Sequence, residues 1–217
     1  MKRFKKLLSL VTMFVMLLCF SVPAFAATDT TDKSALTVDE YISFLQKESP
    51  EDLAKFTALS PDQQQEFIDL LLDPATYNTT NNENKNVSRS TKYTTNLPNS
   101  SPMLSSSTDW DAWGTQTVSI FGISILEYRI EVGYRVSNGT VTQILYNDAY
   151  VVRNLNPMVQ TDTISSSAYI SGNKAIARGV FYYKLGPIND MSVQIGNIYG
   201  ELIGYPNGDT SISYWRD

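Results

Sequence analysis

The sequence predicts a mainly β protein: an antiparallel β-sandwich or small barrel, preceded by a short α-helical segment and a disordered linker. Three observations carry this. Residues 126–146, LEYRIEVGYRVSNGTVTQILY, alternate apolar or aromatic with charged positions over Tyr128, Ile130, Val132, Tyr134 and Val136, which is the period of a half-buried strand. Ser137-Asn138-Gly139 then supplies residues that tolerate positive φ, as a tight hairpin requires. A lone hairpin is marginal in water, and from Asp109 onward short strand-like runs recur between turn signals with no helical pattern among them.

Taken in order, the chain opens with a signal peptide over residues 1–26. Lys2, Arg3, Lys5 and Lys6 precede a nearly continuous apolar run over residues 7–20, and Ala24-Phe25-Ala26 is an A-x-A cleavage pattern. That run is too short to span a bilayer comfortably. Cys19 invites a lipoprotein reading, but Leu18 stands where a small residue is needed and a full cleavage site follows. Cleavage after Ala26 leaves no cysteine, so an ordinary core must hold the exported chain together.

Residues 27–74 read as an acidic segment of two or three short helices. Thr37 with Glu40 forms a capping box, and Ser49-Pro50 and Ser60-Pro61 each pair a serine cap with proline at the first helical position. Asp73-Pro74 closes the series. Between Asp29 and Asp73 stand 11 acidic and 3 basic residues. So small a segment cannot sustain its own core and either docks on something or stays loose. Residues 75–108, dominated by Asn, Ser and Thr, read as linker. Residues 109–217 form the antiparallel β domain, with strands expected at 115–126, 128–136, 140–146, 149–153, 159–170, 174–184, 192–202 and 210–215. Glycines 196, 200 and 204 within strand-like sequence point to bulges or sharp coiling.

Charge and composition narrow the chemistry. Without the signal, 13 basic residues face 22 acidic ones, a net charge of −9, and no basic patch stands out, so nucleic acid is not expected as a partner. There is no histidine, and the one cysteine lies in the signal. That removes Ser-His-Asp and Cys-His nucleophilic sites and the usual zinc, copper or haem ligand sets. No cofactor, metal or catalytic residue is assigned.

The candidate ligand-binding residues are Asp109, Trp110, Asp111 and Trp113. Two carboxylates and two indoles within five residues can serve a sugar, through aromatic faces, or a calcium ion, through oxygens, although only the first and third loop positions and a glycine match a calcium loop. The plain alternative is that the tryptophans anchor the first strand on the core. Glu127 and Glu131, with Arg129 between, share a strand face about 13 Å apart, too far for a glycosidase pair, and read as a solvated charge ladder. Ten of the 13 tyrosines lie in the β domain, which suits a binding surface and equally a sheet.

The plan looks like that of many small secreted bacterial proteins. The favoured expectation is a secreted, noncatalytic binding or interaction protein whose aromatic β surface contacts cell-wall glycan or another protein. The first alternative is a toxin-like or antimicrobial effector made as a precursor, with the acidic helices as prosegment and the linker as processing site. The second is a carboxylate-dependent glycan hydrolase.

Overall fold

The computed structural model describes residues 36–78, 84–96, 107–186 and 194–217. The signal-peptide reading of residues 1–26 falls outside them. Eight strands make up two four-stranded antiparallel meanders. The first runs β1 (Val87–Asn96), β2 (Ser107–Ile120), β3 (Ile123–Ser137), β4 (Thr140–Asn154); the second runs β5 (Val159–Ser171), β6 (Lys174–Leu185), β7 (Gln194–Gly204), β8 (Thr210–Arg216). One face of each is apolar by alternation, and the two bury against each other. Tyr128, Ile130, Val132 and Tyr134 of β3 meet Ala175, Ala177, Phe181 and Tyr183 of β6 and Ile198 and Leu202 of β7, all fully buried or nearly so. The expected sandwich is therefore the fold.

Side chains close its two open seams. Thr163 Oγ1 donates to the Ala149 carbonyl at 2.8 Å and Asn147 Nδ2 to Ser166 Oγ at 2.7 Å, tying β5 to β4. Between β1 and β8 the hydroxyls of Thr95 and Thr210 meet. The Tyr214 hydroxyl crosses from one sheet to the other, within reach of the carbonyls of Gly114 at 3.0 Å and Tyr128 at 3.2 Å.

Several elements differ from expectation. The stretch 75–108 read as linker contains a short helix and all of β1, which pairs along its whole length with β2; its segments 79–83 and 97–106 lie outside the described residues. β1 is an edge strand rich in Thr and Ser with few apolar residues, so composition concealed it although Thr and Tyr favour strands. The expected strand 115–126 is really the end of β2 and the start of β3, joined at Phe121-Gly122, both at positive φ. No Asn or Asp marks that turn. Strands 140–146 and 149–153 are one strand, β4, whose pairing with β3 runs from Tyr146 to Ala149 without a register shift.

The glycines of β7 are not at bulges. Pairing of β7 with β6 and β8 runs without a register shift. Each glycine instead makes room for a neighbouring side chain. A Cβ at Gly196 would press on the Tyr183 ring, at Gly200 on Ile130 and Tyr214, and at Gly204 on the Tyr134 ring.

The helices α1 (Val38–Glu48), α2 (Pro50–Thr57), α3 (Pro61–Leu72) and α4 (Ala75–Asn78) close one end of the sandwich. The predicted capping box of Thr37 with Glu40 is present, and the predicted Ser60 cap forms a second box with Gln63; Ser49 makes no side-chain cap, its hydroxyl donating to Asp52 Oδ2 at 2.7 Å instead. Tyr41, Phe56 and Phe67 pack in a triangle with centroids 5.0 to 5.4 Å apart, all fully buried. This cluster is continuous with the sheet core. The Tyr41 hydroxyl donates to the Leu155 carbonyl at 3.0 Å, and Asn156 Nδ2, itself buried, donates to the Leu71 carbonyl and the Tyr77 hydroxyl, each at 2.8 Å. Among the described residues no helix is long and apolar enough to cross a membrane.

Asp52 fastens α2 to β4. It is 2 % exposed and accepts from Ser49, Lys55 and, at 2.5 Å, Arg153. Burial alone would raise its pKa, but those hydrogen bonds outweigh it and hold the carboxyl below its usual range. A depressed folded pKa means that the stabilisation is complete above the unfolded value near 4 and is lost as pH falls through the folded value. Asp52→Asn is expected to cost about 1–2 kcal/mol at pH 7, less than a fully buried pair because Arg153 and Lys55 keep contact with water. In thermal melts from pH 7 to pH 3, the gap between variant and wild type should close toward acid; a constant gap would refute the assignment.

Candidate functional site

β2 presents Asp109, Asp111 and Trp113 on the outer side of the first sheet, whereas Trp110 faces inward. Its indole packs where a Cβ on Gly208 would clash, and its buried Nε1 has no partner among the described residues. The four candidate residues therefore divide: Trp110 is the core anchor of the plain alternative, and the other three lie on one face with side chains of β3 and β4.

That face is an ordered layer rather than a solvated ladder. Asp109, opposite Arg135, receives two hydrogen bonds, from Nε at 2.6 Å and Nη2 at 2.8 Å, and these hold its carboxyl below the ordinary range. The Arg129 guanidinium stacks 4.2 Å over the Trp113 ring, with Nε 2.6 Å from Glu131 Oε1. Tyr150 donates to the same Glu131 oxygen at 2.8 Å. Roughly three quarters of the Arg129 and Glu131 side chains are out of water, at 28 % and 23 % exposure. Among the described residues no group of three or more His, Cys, Asp or Glu side chains is placed to hold a metal.

Tyr146 completes the layer and was not among the predicted residues. It stands opposite Gly133 on β3, and its ring lies across that glycine, where a Cβ would collide with it. The hydroxyl donates to Asp111 Oδ1 at 3.0 Å. Burial, and then the bond to Asp111, push its pKa up to about 12, so it stays a donor at neutral pH. The ring is 45 % exposed. Trp113, by contrast, already carries a guanidinium on one face. The legible signal was Gly133 itself, a lone glycine inside an alternating strand, which marks a close approach.

No family model, curated protein or solved structure matches this chain.

An aromatic ring laid over Gly133 offers area for a C–H-rich surface, while Asp111, Glu131 and Arg135 around it offer acceptors and donors for hydroxyl or amide groups. Asp111 and Glu131 also stand diagonally across β2 and β3, about 7–8 Å apart by sheet geometry.

Proposed function

We propose that the chain is an exported, noncatalytic binding protein that contacts cell-wall glycan through the outer face of its first sheet. The observation that carries this reading is the Tyr146 ring, spread over Gly133, pinned by Asp111 and half open to solvent. Stacking of a pyranose on that ring, with its hydroxyls bound by Asp111 and Arg135, uses each group in its existing position. The absence of histidine, and of cysteine after residue 19, leaves a surface suited to binding rather than nucleophilic chemistry.

Retention on purified, protein-free cell wall tests this. Tyr146→Ala is expected to weaken binding at least about tenfold, the loss of roughly 1.4 kcal/mol or more that truncating an anchoring aromatic brings. Tyr93→Ala, which removes a more exposed tyrosine of β1, should leave binding unchanged. Equal retention of wild type and Tyr146→Ala, or no retention of either, sinks the proposal. Release of reducing sugar by the wild type, lost in Asp111→Asn, would reassign the face to glycan hydrolysis.

A further inference from the structure

Two arginines point into the gap where β1 and β8, the outermost strands of the two sheets, come together. Arg89 stands opposite Val118, and Arg216 opposite Ile198. Both partners are fully buried, and strand alternation turns the arginines inward with them. Arg89 Nη2 donates to the Thr76 carbonyl at 2.5 Å and Arg216 Nη2 to Oε1 of the buried Gln116 at 2.9 Å. Their remaining buried donors are orphaned. Arg89 Nε and Nη1, Arg216 Nε and the hydroxyl of Tyr183, a residue only 1 % exposed, have no partner among the described residues.

Neither arginine takes part in any ion pair among the described residues. Burial, and then the charge of Arg216, lower the pKa of Arg89 to about 10, and burial lowers that of Arg216. Both remain cationic at neutral pH. Two partly buried guanidiniums that repel each other, with no counter-charge among the described residues, are costly to keep. Convergent N–H and O–H donors with surplus positive charge are also what binds an oxyanion.

We propose that the β1/β8 gap binds a small oxyanion, held between the guanidiniums of Arg89 and Arg216 and the Tyr183 hydroxyl. Carboxylate and phosphate share the chemistry required: several acceptor oxygens around one negative centre. The site faces inward from β1 and β8, whereas the Tyr146 face lies on the outer side of β2 to β4. Either assignment can fail alone.

Calorimetric titration and thermal melts of the full chain decide it, with sodium phosphate, sulfate, acetate and chloride compared at constant ionic strength. At least one oxyanion is expected to bind with one-to-one saturation and to raise the melting midpoint by about 5 °C or more at roughly a hundredfold excess over Kd, with no such rise in chloride. Saturation by acetate alone supports a carboxylate occupant; saturation by phosphate or sulfate alone supports a tetrahedral one. Arg89→Met and Arg216→Met should each abolish the shift, yet melt in chloride at or above the wild-type midpoint, because each removes an uncompensated charge. Absence of titratable binding by the wild type overturns the proposal. So does an oxyanion shift that survives both substitutions, or variants that melt well below wild type in chloride, since the guanidiniums would then serve the fold alone.

Discussion

A chain beginning at Asn84, without the four helices, is expected not to reach a stable monomeric fold. The helices are packed as structural partners of the sheets. Ile123, paired with the inward Ile120, and Ile125, left unpaired by the register shift at Val118/Ser119, lie fully buried at the start of β3, with α2 packed against β3 and α3 against β2. Removing the helices would uncover Tyr183, which the Tyr77 ring approaches to 6.3 Å. It would also strip Asn156 of two buried acceptors, Arg89 of the Thr76 carbonyl and Arg153 of Asp52. A single substitution samples the same cost. Phe67→Ala, at the centre of the Tyr41–Phe56–Phe67 triangle, should lose about 3–5 kcal/mol, a large share of the roughly 5–15 kcal/mol that a domain has. Circular dichroism and dye binding measure both variants. A truncated chain that stays soluble, keeps its β spectrum and melts cooperatively would refute this and would restore the alternative in which the acidic helices are a removable prosegment.

The fold was readable where a local rule and the tertiary structure agreed. Alternation along residues 128–136 fixed which face of β3 is buried, Asn138-Gly139 located a turn, and the serine and threonine caps placed α1 and α3. Concealment arose where partners came from elsewhere in the chain. β1 is held by ladder bonds to β2 rather than by apolar side chains of its own, so nothing in its composition announced it. The turn at Phe121-Gly122 depends on one glycine and a phenylalanine forced to φ 48°, a conformation that sequence preference argues against. The same division runs through the candidate face. Asp109, Asp111 and Trp113 were visible as a cluster because they are close in sequence. Tyr146, Arg129 and Glu131 join them only through the register of three strands, and Trp110 leaves them because successive residues of a strand face opposite ways.

Gly200→Val is expected to be among the most damaging single substitutions in the second sheet. The sheets approach closely at this point because β7 carries no side chain there. A Cβ would run into Ile130 Cδ1 and lie 2.7 Å from Tyr214 Cε1, and the two branches of valine would go further into both. Neither neighbour can yield cheaply. Ile130 is fully buried at the centre of β3, and Tyr214 is held by its hydroxyl between the carbonyls of Gly114 and Tyr128, so moving its ring breaks the bridge between the sheets. Overpacking of this kind costs about 3 kcal/mol, which for a domain of this size lowers the melting midpoint by roughly 6–12 °C. Gly133→Ala makes the informative contrast. Its clash is with the Tyr146 ring, 45 % exposed, which can yield toward solvent by giving up the one exposed bond to Asp111, so stability should change by less than about 1 kcal/mol while retention on cell wall falls. Thermal melts of the two variants, read beside cell-wall retention, separate these roles: equal destabilisation would mean that the glycines do the same work on both sheets, and the Tyr146 ring would then belong to the packing rather than to a surface kept open for a ligand.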